Sequence, residues 1–177
     1  EQKPSIFASR QIILKTIKEK GWKEVKSRCK QNLRDLVKMM KWNHEHNITA
    51  FRLSSMMFPH YSNKEGQELC EGKYKLEKFQ KYFDRIHKYA IKYNQRLTFH
   101  PGQFNQVGTP SQQVFEKTIT DLKMHADILD MIGCDENSIM VVHGGGVYND
   151  KKKTIKRWIK QFKKLPENVQ KRLVIEN

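Results

Sequence analysis

The 177-residue chain has only three cysteines, Cys29, Cys70 and Cys134, an odd number set far apart. They form no disulfide framework and no CxxC metal knuckle, so an intracellular, reducing compartment is the expected setting. No run approaches the ~18 consecutive apolar residues that a membrane span needs. The opening Glu1-Gln2-Lys3-Pro4 lacks the apolar region of a signal peptide. No low-complexity or Pro/Gly-rich linker divides the chain, and one domain over 1–177 is expected. Neither GxSxG nor GxxxxGK(S/T) is present, which removes the nucleophile elbow and the Walker phosphate loop. Acidic residues are scarce too: 19 against 34 basic ones, a formal net charge of +15.

What is present is enough for a core. Hydrophobic residues make up 37% of the chain, too many for a disordered one. The surplus positive charge points to a polyanionic partner, of which nucleic acid is the common case because Lys and Arg displace condensed counterions. A membrane surface would require a basic amphipathic helix with apolar anchors, and no concentrated example occurs. The 26 lysines outnumber the 8 arginines and are spread over every helical segment, so solvated helix faces account for the charge equally well.

Four short runs read as buried strands: Ile48–Leu53, Arg96–Phe99, Ile139–Val142 and Leu173–Ile175. Helical patterns lie between them. Leu33, Leu36, Val37 and Met40 recur at i, i+3, i+4, i+7, as do Phe79, Phe83, Ile86 and Ala90. Val114, Ile119, Leu122, Ala126, Leu129 and Ile132 continue the theme, and Ile155, Trp158, Ile159 and Phe162 make a shorter stripe. Gly133 is placed to stop the third helix, and Gly21 to end an N-terminal stretch. Strands separated by helices must run parallel with right-handed crossovers. This α/β order fits an open doubly wound sheet or a (β/α) barrel. A complete barrel has eight strands and ~250 residues. With four strands visible and Asn177 directly after the fourth, the chain is expected to be a segment of a longer protein, or to need a partner chain to complete its sheet.

Polar residues follow each strand. His100-Pro101-Gly102-Gln103-Phe104 follows the second, His143-Gly144-Gly145-Gly146-Val147-Tyr148 the third, and Glu176-Asn177 the fourth. In parallel α/β folds the C-terminal strand ends share one side, where active sites and ligand crevices lie. His100, His143 and Glu176 should therefore converge. Two imidazoles and a carboxylate can hold Zn²⁺, Mn²⁺ or Fe²⁺ with positions left open for water or substrate. The competing reading is two histidines that merely cap strands. The three glycines can let a ligand approach the backbone or simply make a tight turn. Lys151, Lys152 and Lys153 can reach phosphates or sit at a solvated helix start. Gln103 and Phe104 offer an amide and a ring that can stack on a base, against the commoner fate of a half-buried loop Phe. His44, His46, His87 and His125 read as structural or surface residues, and the cysteines carry no assigned chemistry.

The segments Phe51-Arg52-Leu53-Ser54-Ser55, His100-Pro101-Gly102-Gln103-Phe104, Val142–Tyr148 with Lys151, and Val174-Ile175-Glu176-Asn177, in this order and spacing, resemble the UV damage endonuclease family. Lys3-Pro4-Ser5-Ile6-Phe7-Ala8-Ser9-Arg10 looks like the segment after that family's first strand. The resemblance covers essentially the whole chain. It implies a TIM (β/α) barrel, present here as about half a barrel, that lacks the first strand and the C-terminal strands. It further implies a metal-dependent DNA repair nuclease that nicks immediately 5′ to UV photoproducts in double-stranded DNA. The implied cofactor is divalent metal, manganese above all, with zinc or magnesium as alternatives and no organic cofactor. His100, His143 and Glu176 match the metal ligands, and through them the catalytic centre. Gln103, Phe104, Tyr148 and Lys151 fall on the DNA- and lesion-binding side, with Phe104 where many members carry Tyr. Ser62-Asn63 stands where many relatives have Ser-His, so a metal ligand is replaced by Asn63. His60, three residues earlier, is not assigned its place. Two rival readings remain: a non-catalytic DNA-binding remnant, and another metal-dependent barrel such as an abasic-site endonuclease or a sugar isomerase. A net charge of +15 suits a neutral sugar poorly.

Overall fold

A computed structural model describes residues 6–176; the expectations placed on Lys3, Pro4, Ser5 and Asn177 lie outside them. The described residues run α1 (Leu14–Glu45), β1 (Ala50–Leu53), α2 (Lys64–Leu69), a 3₁₀ turn (Leu76–Phe79), α3 (Gln80–Lys92), β2 (Arg96–Phe99), α4 (Gln112–Ile132), β3 (Met140–His143), α5 (Lys151–Phe162), α6 (Glu167–Arg172) and β4 (Leu173–Glu176). Helix α1 is broken at Gly21, whose φ of 63° and ψ of −164° lie outside helical space. Beyond the break, Val25, Cys29, Leu33, Leu36, Val37 and Met40 form its buried stripe. Helix α4 begins where the Ser111 hydroxyl accepts the Val114 N–H and ends where Gly133 turns left-handed (φ 79°, ψ 31°). Among the described residues, no helix is long and apolar enough to cross a membrane.

The four strands are all parallel and lie side by side in chain order, β1-β2-β3-β4. Helix α1 packs on α3, α3 on α4 and α4 on α6, so successive helices also neighbour one another. A doubly wound sheet reverses its strand order and carries helices on both faces. Sequential strands backed by a sequential helix layer instead make an arc of a (β/α) barrel. Strand alternation explains the core: Leu53, Leu97, Phe99, Met140 and Val142 are buried in one cluster with Leu36, Phe83, Ile86, Leu122 and Leu129 of the helices.

Two details differ from the sequence pattern. The stripe of α5 is not a fully buried face. Ile155 and Ile159 are 49% and 53% exposed, while Thr154 and Gln161 are buried instead. Thr154 donates to Val147 O and the Gln161 amide to Thr109 O, so polar contacts to the loops around Gly108 and Val147 decide how this helix rolls. The second detail is α6, a six-residue helix started by Pro166 and ended by Arg172. It leaves too few turns for a periodic signal.

Candidate metal centre

Alternation along the strands sends Thr98 and His100, Val141 and His143, and Val174 and Glu176 to the face opposite the helices. His143 and Glu176 are register partners on β3 and β4. His100 is the first residue past β2. The result is one cluster at the C-terminal ends of three adjacent strands: a ligand atom from each of His100, His143 and Glu176 lies within 4.8 Å of the others. His100 Nε2 donates to Glu176 Oε2 at 2.8 Å, and His143 Nδ1 lies 3.6 Å from the same oxygen. The two imidazoles meet edge to face with centroids 4.9 Å apart. His100 is 20% exposed, His143 46% and Glu176 50%, so the cluster opens to solvent.

The hydrogen bond from His100 holds the Glu176 carboxyl below its usual range against the opposing effect of burial, and the charges of His100, His143 and Arg52 add to it. Arg52 shares the face of the cluster because it pairs with Thr98 on β2. The donor set suits a divalent ion: two nitrogen donors, one anionic oxygen and an open side. His100 Nδ1 lies 3.3 Å from Pro101 O, so Nδ1 can carry the ring proton and donate to that carbonyl when Nε2 is left free to ligate.

The loops around the cluster are tied together by side chains that the sequence pattern did not single out. Residues Gly102–Asn105 make a turn closed by Asn105 N–H and the Asn105 amide, both donating to Gly102 O at 3.0 Å. The Phe104 ring folds back over Gly102, where a Cβ would meet it at 2.5 Å, and is itself 67% exposed. Asn105, buried beneath the turn, donates to Asp121 Oδ2 at 2.8 Å, and Ser62 donates to Asp121 Oδ1 at 2.7 Å. Asp121 on α4 thus anchors both the β1–α2 loop and the β2–α4 loop. Gln106 reaches across to the glycine loop: its Oε1 accepts from Gly146 N–H at 3.1 Å and Tyr148 O–H at 3.3 Å. Its Nε2 donates to Gln103 O at 2.7 Å. Tyr148 lies under the Arg157 guanidinium (5.4 Å), and Lys151 is exposed at the first turn of α5.

A sequence model of the family described as UV-endonuclease UvdE matches residues 1–177. The chain belongs to the UvdE family. A relative from Acanthamoeba polyphaga mimivirus is 40% identical over 174 residues, covering 97% of this chain and 52% of its own length. The UV-damage endonuclease of Schizosaccharomyces pombe is 37% identical over 180 residues, 99% of this chain and 29% of that protein. The UV DNA damage endonuclease of Clostridium perfringens is 37% identical over 172 residues, 96% of this chain and 39% of that protein. The crystal structure of SacUVDE matches with a TM-score of 0.84 at 31% identity, over 96% of this chain and 55% of that one. The chain therefore spans about half or less of the length of these relatives.

Within this UvdE-family chain, Asn63, where the resemblance implies a replaced ligand, has a local role. Asn63 is the N-cap of α2, and its Oδ1 accepts the Gly66 N–H at 3.0 Å. An Asn is a good cap because its short carbonyl reaches back to the first turn. The structure engages that oxygen at the first turn of α2. His60 does not stand in for it, since its Nε2 lies 2.7 Å from Ile12 O. His44 stacks on Tyr93, His46 on Trp42, and the His87 ring lies beside Gly133. His125 is buried, with Nδ1 2.7 Å from Asp121 O, and burial holds its pKa down against Asp121 and Ser55. The cysteines are free, and burial pushes the Cys29 thiol up to about 12, far from a reactive thiolate.

Proposed function

We propose that this chain carries the first metal-binding strand ends of a DNA repair endonuclease that hydrolyses the phosphodiester immediately 5′ to a UV photoproduct, leaving a 3′-hydroxyl. The remaining strands of the barrel would come from further sequence, in keeping with the greater length of its relatives, or from a partner chain. The observation that carries the proposal is the convergence of His100, His143 and Glu176, within 4.8 Å of one another, on the open C-terminal side of the sheet. His100, His143 and Glu176 would hold a divalent ion there, manganese in this reading and zinc or magnesium otherwise, and it would supply Lewis acidity and activation of water near neutral pH. The chain's own residues do the rest. Glu176 stays ionised at neutral pH under the influence of His100, His143 and Arg52. His100 and His143 offer nitrogen donors from two different strand ends. The exposed Phe104 ring and Gln103 sit on the turn directly after His100, placed to meet a base that lesion-weakened stacking has released. Eight basic residues and no acidic one lie between Lys151 and Lys164, a suitable electrostatic partner for phosphates.

The direct test uses one duplex carrying a defined UV photoproduct and one carrying an abasic site, each incubated with this chain and with a version extended over the rest of the barrel, in Mn²⁺ or in EDTA. Cutting only with metal, mapped to the 5′ side of the lesion, supports the proposal. Binding of damaged duplex without cutting by either form favours the non-catalytic remnant, whereas cutting by the extended form alone supports the half-barrel reading. Cutting at abasic sites alone moves the chain to the abasic-site nucleases.

A further inference from the structure

Gln106 makes contacts that no neighbouring residue duplicates. Its backbone N–H donates to Thr118 Oγ1 at 3.1 Å, which fixes its main chain to α4. Its side chain then spans two loops. The carbonyl end accepts Gly146 N–H and Tyr148 O–H, and the amide end donates to Gln103 O. The glycine loop is shaped around it: Gly145 has φ 91°, and a Cβ there would stand 2.4 Å from Gln106 Oε1. Two features hold this position to glycine: the left-handed backbone at φ 91° and the space that the Gln106 amide takes.

The joined segments matter for the site. One follows His100 and bears Gln103 and Phe104; the other follows His143 and bears Tyr148. We propose that Gln106 is a positioning residue, a single-amide clamp that sets the distance between the Gln103-Phe104 turn and the glycine loop, and with it the place of the Phe104 ring relative to the metal cluster. The inference rests on the nuclease reading for its consequence, but not for its geometry. Both ends of the amide are required. Gln106→Glu keeps an oxygen for Gly146 N–H and Tyr148 O–H, yet sets a carboxylate against Gln103 C=O, so it releases the turn alone. Gln106→Leu releases both loops. Gly145→Ala crowds the amide without altering residue 106 but also strains the loop backbone at φ 91°, so it supports the two Gln106 variants and does not replace them.

The experiment uses the full chain and these three variants, with amide hydrogen exchange at Gly146 and affinity for a photoproduct-bearing duplex against the same duplex undamaged. Loss of the bond at an otherwise exposed amide should speed Gly146 exchange on the order of tenfold in Gln106→Leu and Gly145→Ala, and leave it near wild type in Gln106→Glu. All three should lower the damaged-to-undamaged affinity ratio by about tenfold while Mn²⁺ affinity stays within about twofold. That a general loss of structure would move Mn²⁺ affinity as well distinguishes positioning from mere stability. Unchanged Gly146 exchange in Gln106→Leu overturns the clamp, as does an unchanged affinity ratio in Gln106→Glu when wild type discriminates. A wild-type ratio of one sinks the UV-lesion reading instead, and the Gly146 exchange rates then decide the clamp by themselves.

Discussion

Arg172 is the last residue of α6 and lies four residues before Glu176, so its removal tests how the carboxylate is held in place. Its side chain is 7% exposed. The guanidinium donates to Asp130 Oδ1 at 2.8 and 3.2 Å, to Cys134 O at 2.8 Å, to Ser138 O at 3.0 Å, and to Asp135 O. Arg172→Met keeps the stem and deletes every donor. The Ser138 carbonyl belongs to a buried residue and loses its partner outright, a cost of ~1–3 kcal/mol. The Cys134 and Asp135 carbonyls lie at less buried positions where water can replace the guanidinium, at ~0.5 kcal/mol each. The ion pair with Asp130, whose side chain is 41% exposed, adds at most ~1 kcal/mol. The sum is about 3 kcal/mol. With a urea m-value of about 2 kcal/mol/M, the unfolding midpoint should fall by about 1.5 M. A fall of less than about 0.3 M would refute the reasoning, because the measured loss would then be near 0.6 kcal/mol, no more than one ordinary hydrogen bond.

In the complete protein, His143→Ala should abolish nicking while affinity for undamaged duplex stays within about twofold, as filter binding at fixed salt would show; equal loss of both would make His143 a DNA contact instead. Phe104→Ala removes an exposed ring, so stability should stay within ~0.5 kcal/mol while binding to the photoproduct-bearing duplex weakens by the ~1–3 kcal/mol of one base–aromatic stack. An unchanged fluorescence-anisotropy titration would remove Phe104 from the interface. Burial depresses the pKa of His125 in the folded chain, so below about pH 6.5 the unfolded state binds the extra proton and folding stability falls as the pH falls. Urea midpoints between pH 7 and 5 should show a slope of up to about 1.4 kcal/mol per pH unit that His125→Gln removes. A slope unchanged in that variant would assign the effect to other groups.

Much of this was legible in the sequence because the signals were local. Arg96–Phe99 forms its strand over the same residues, and the helices carrying Phe83 and Leu122 follow their 3.6-residue stripes. His100, His143 and Glu176 each directly follow or end an apolar run, so the parallel topology alone brings them together. What escaped was decided by single polar groups acting across the chain. Gln106 reaches 40 residues to Gly146, and Arg172 reaches 42 to Asp130. Such contacts leave no periodicity. Asn63 was read through its family position, whereas the local rule that Asn caps a helix start governs where its oxygen goes. The roll of α5 was equally hidden, because Thr154 and Gln161 are buried by hydrogen bonding, which a hydrophobic stripe does not report.

The central claim is that two imidazoles and one carboxylate, brought together by three strand ends, form a divalent metal site. Titration of Mn²⁺ into the wild-type chain, His100→Ala and Glu176→Gln, with free Mn²⁺ followed by electron paramagnetic resonance, tests it directly. The account predicts saturable binding in wild type and a loss of at least about tenfold in affinity in each variant. Equal binding in all three proteins would contradict it.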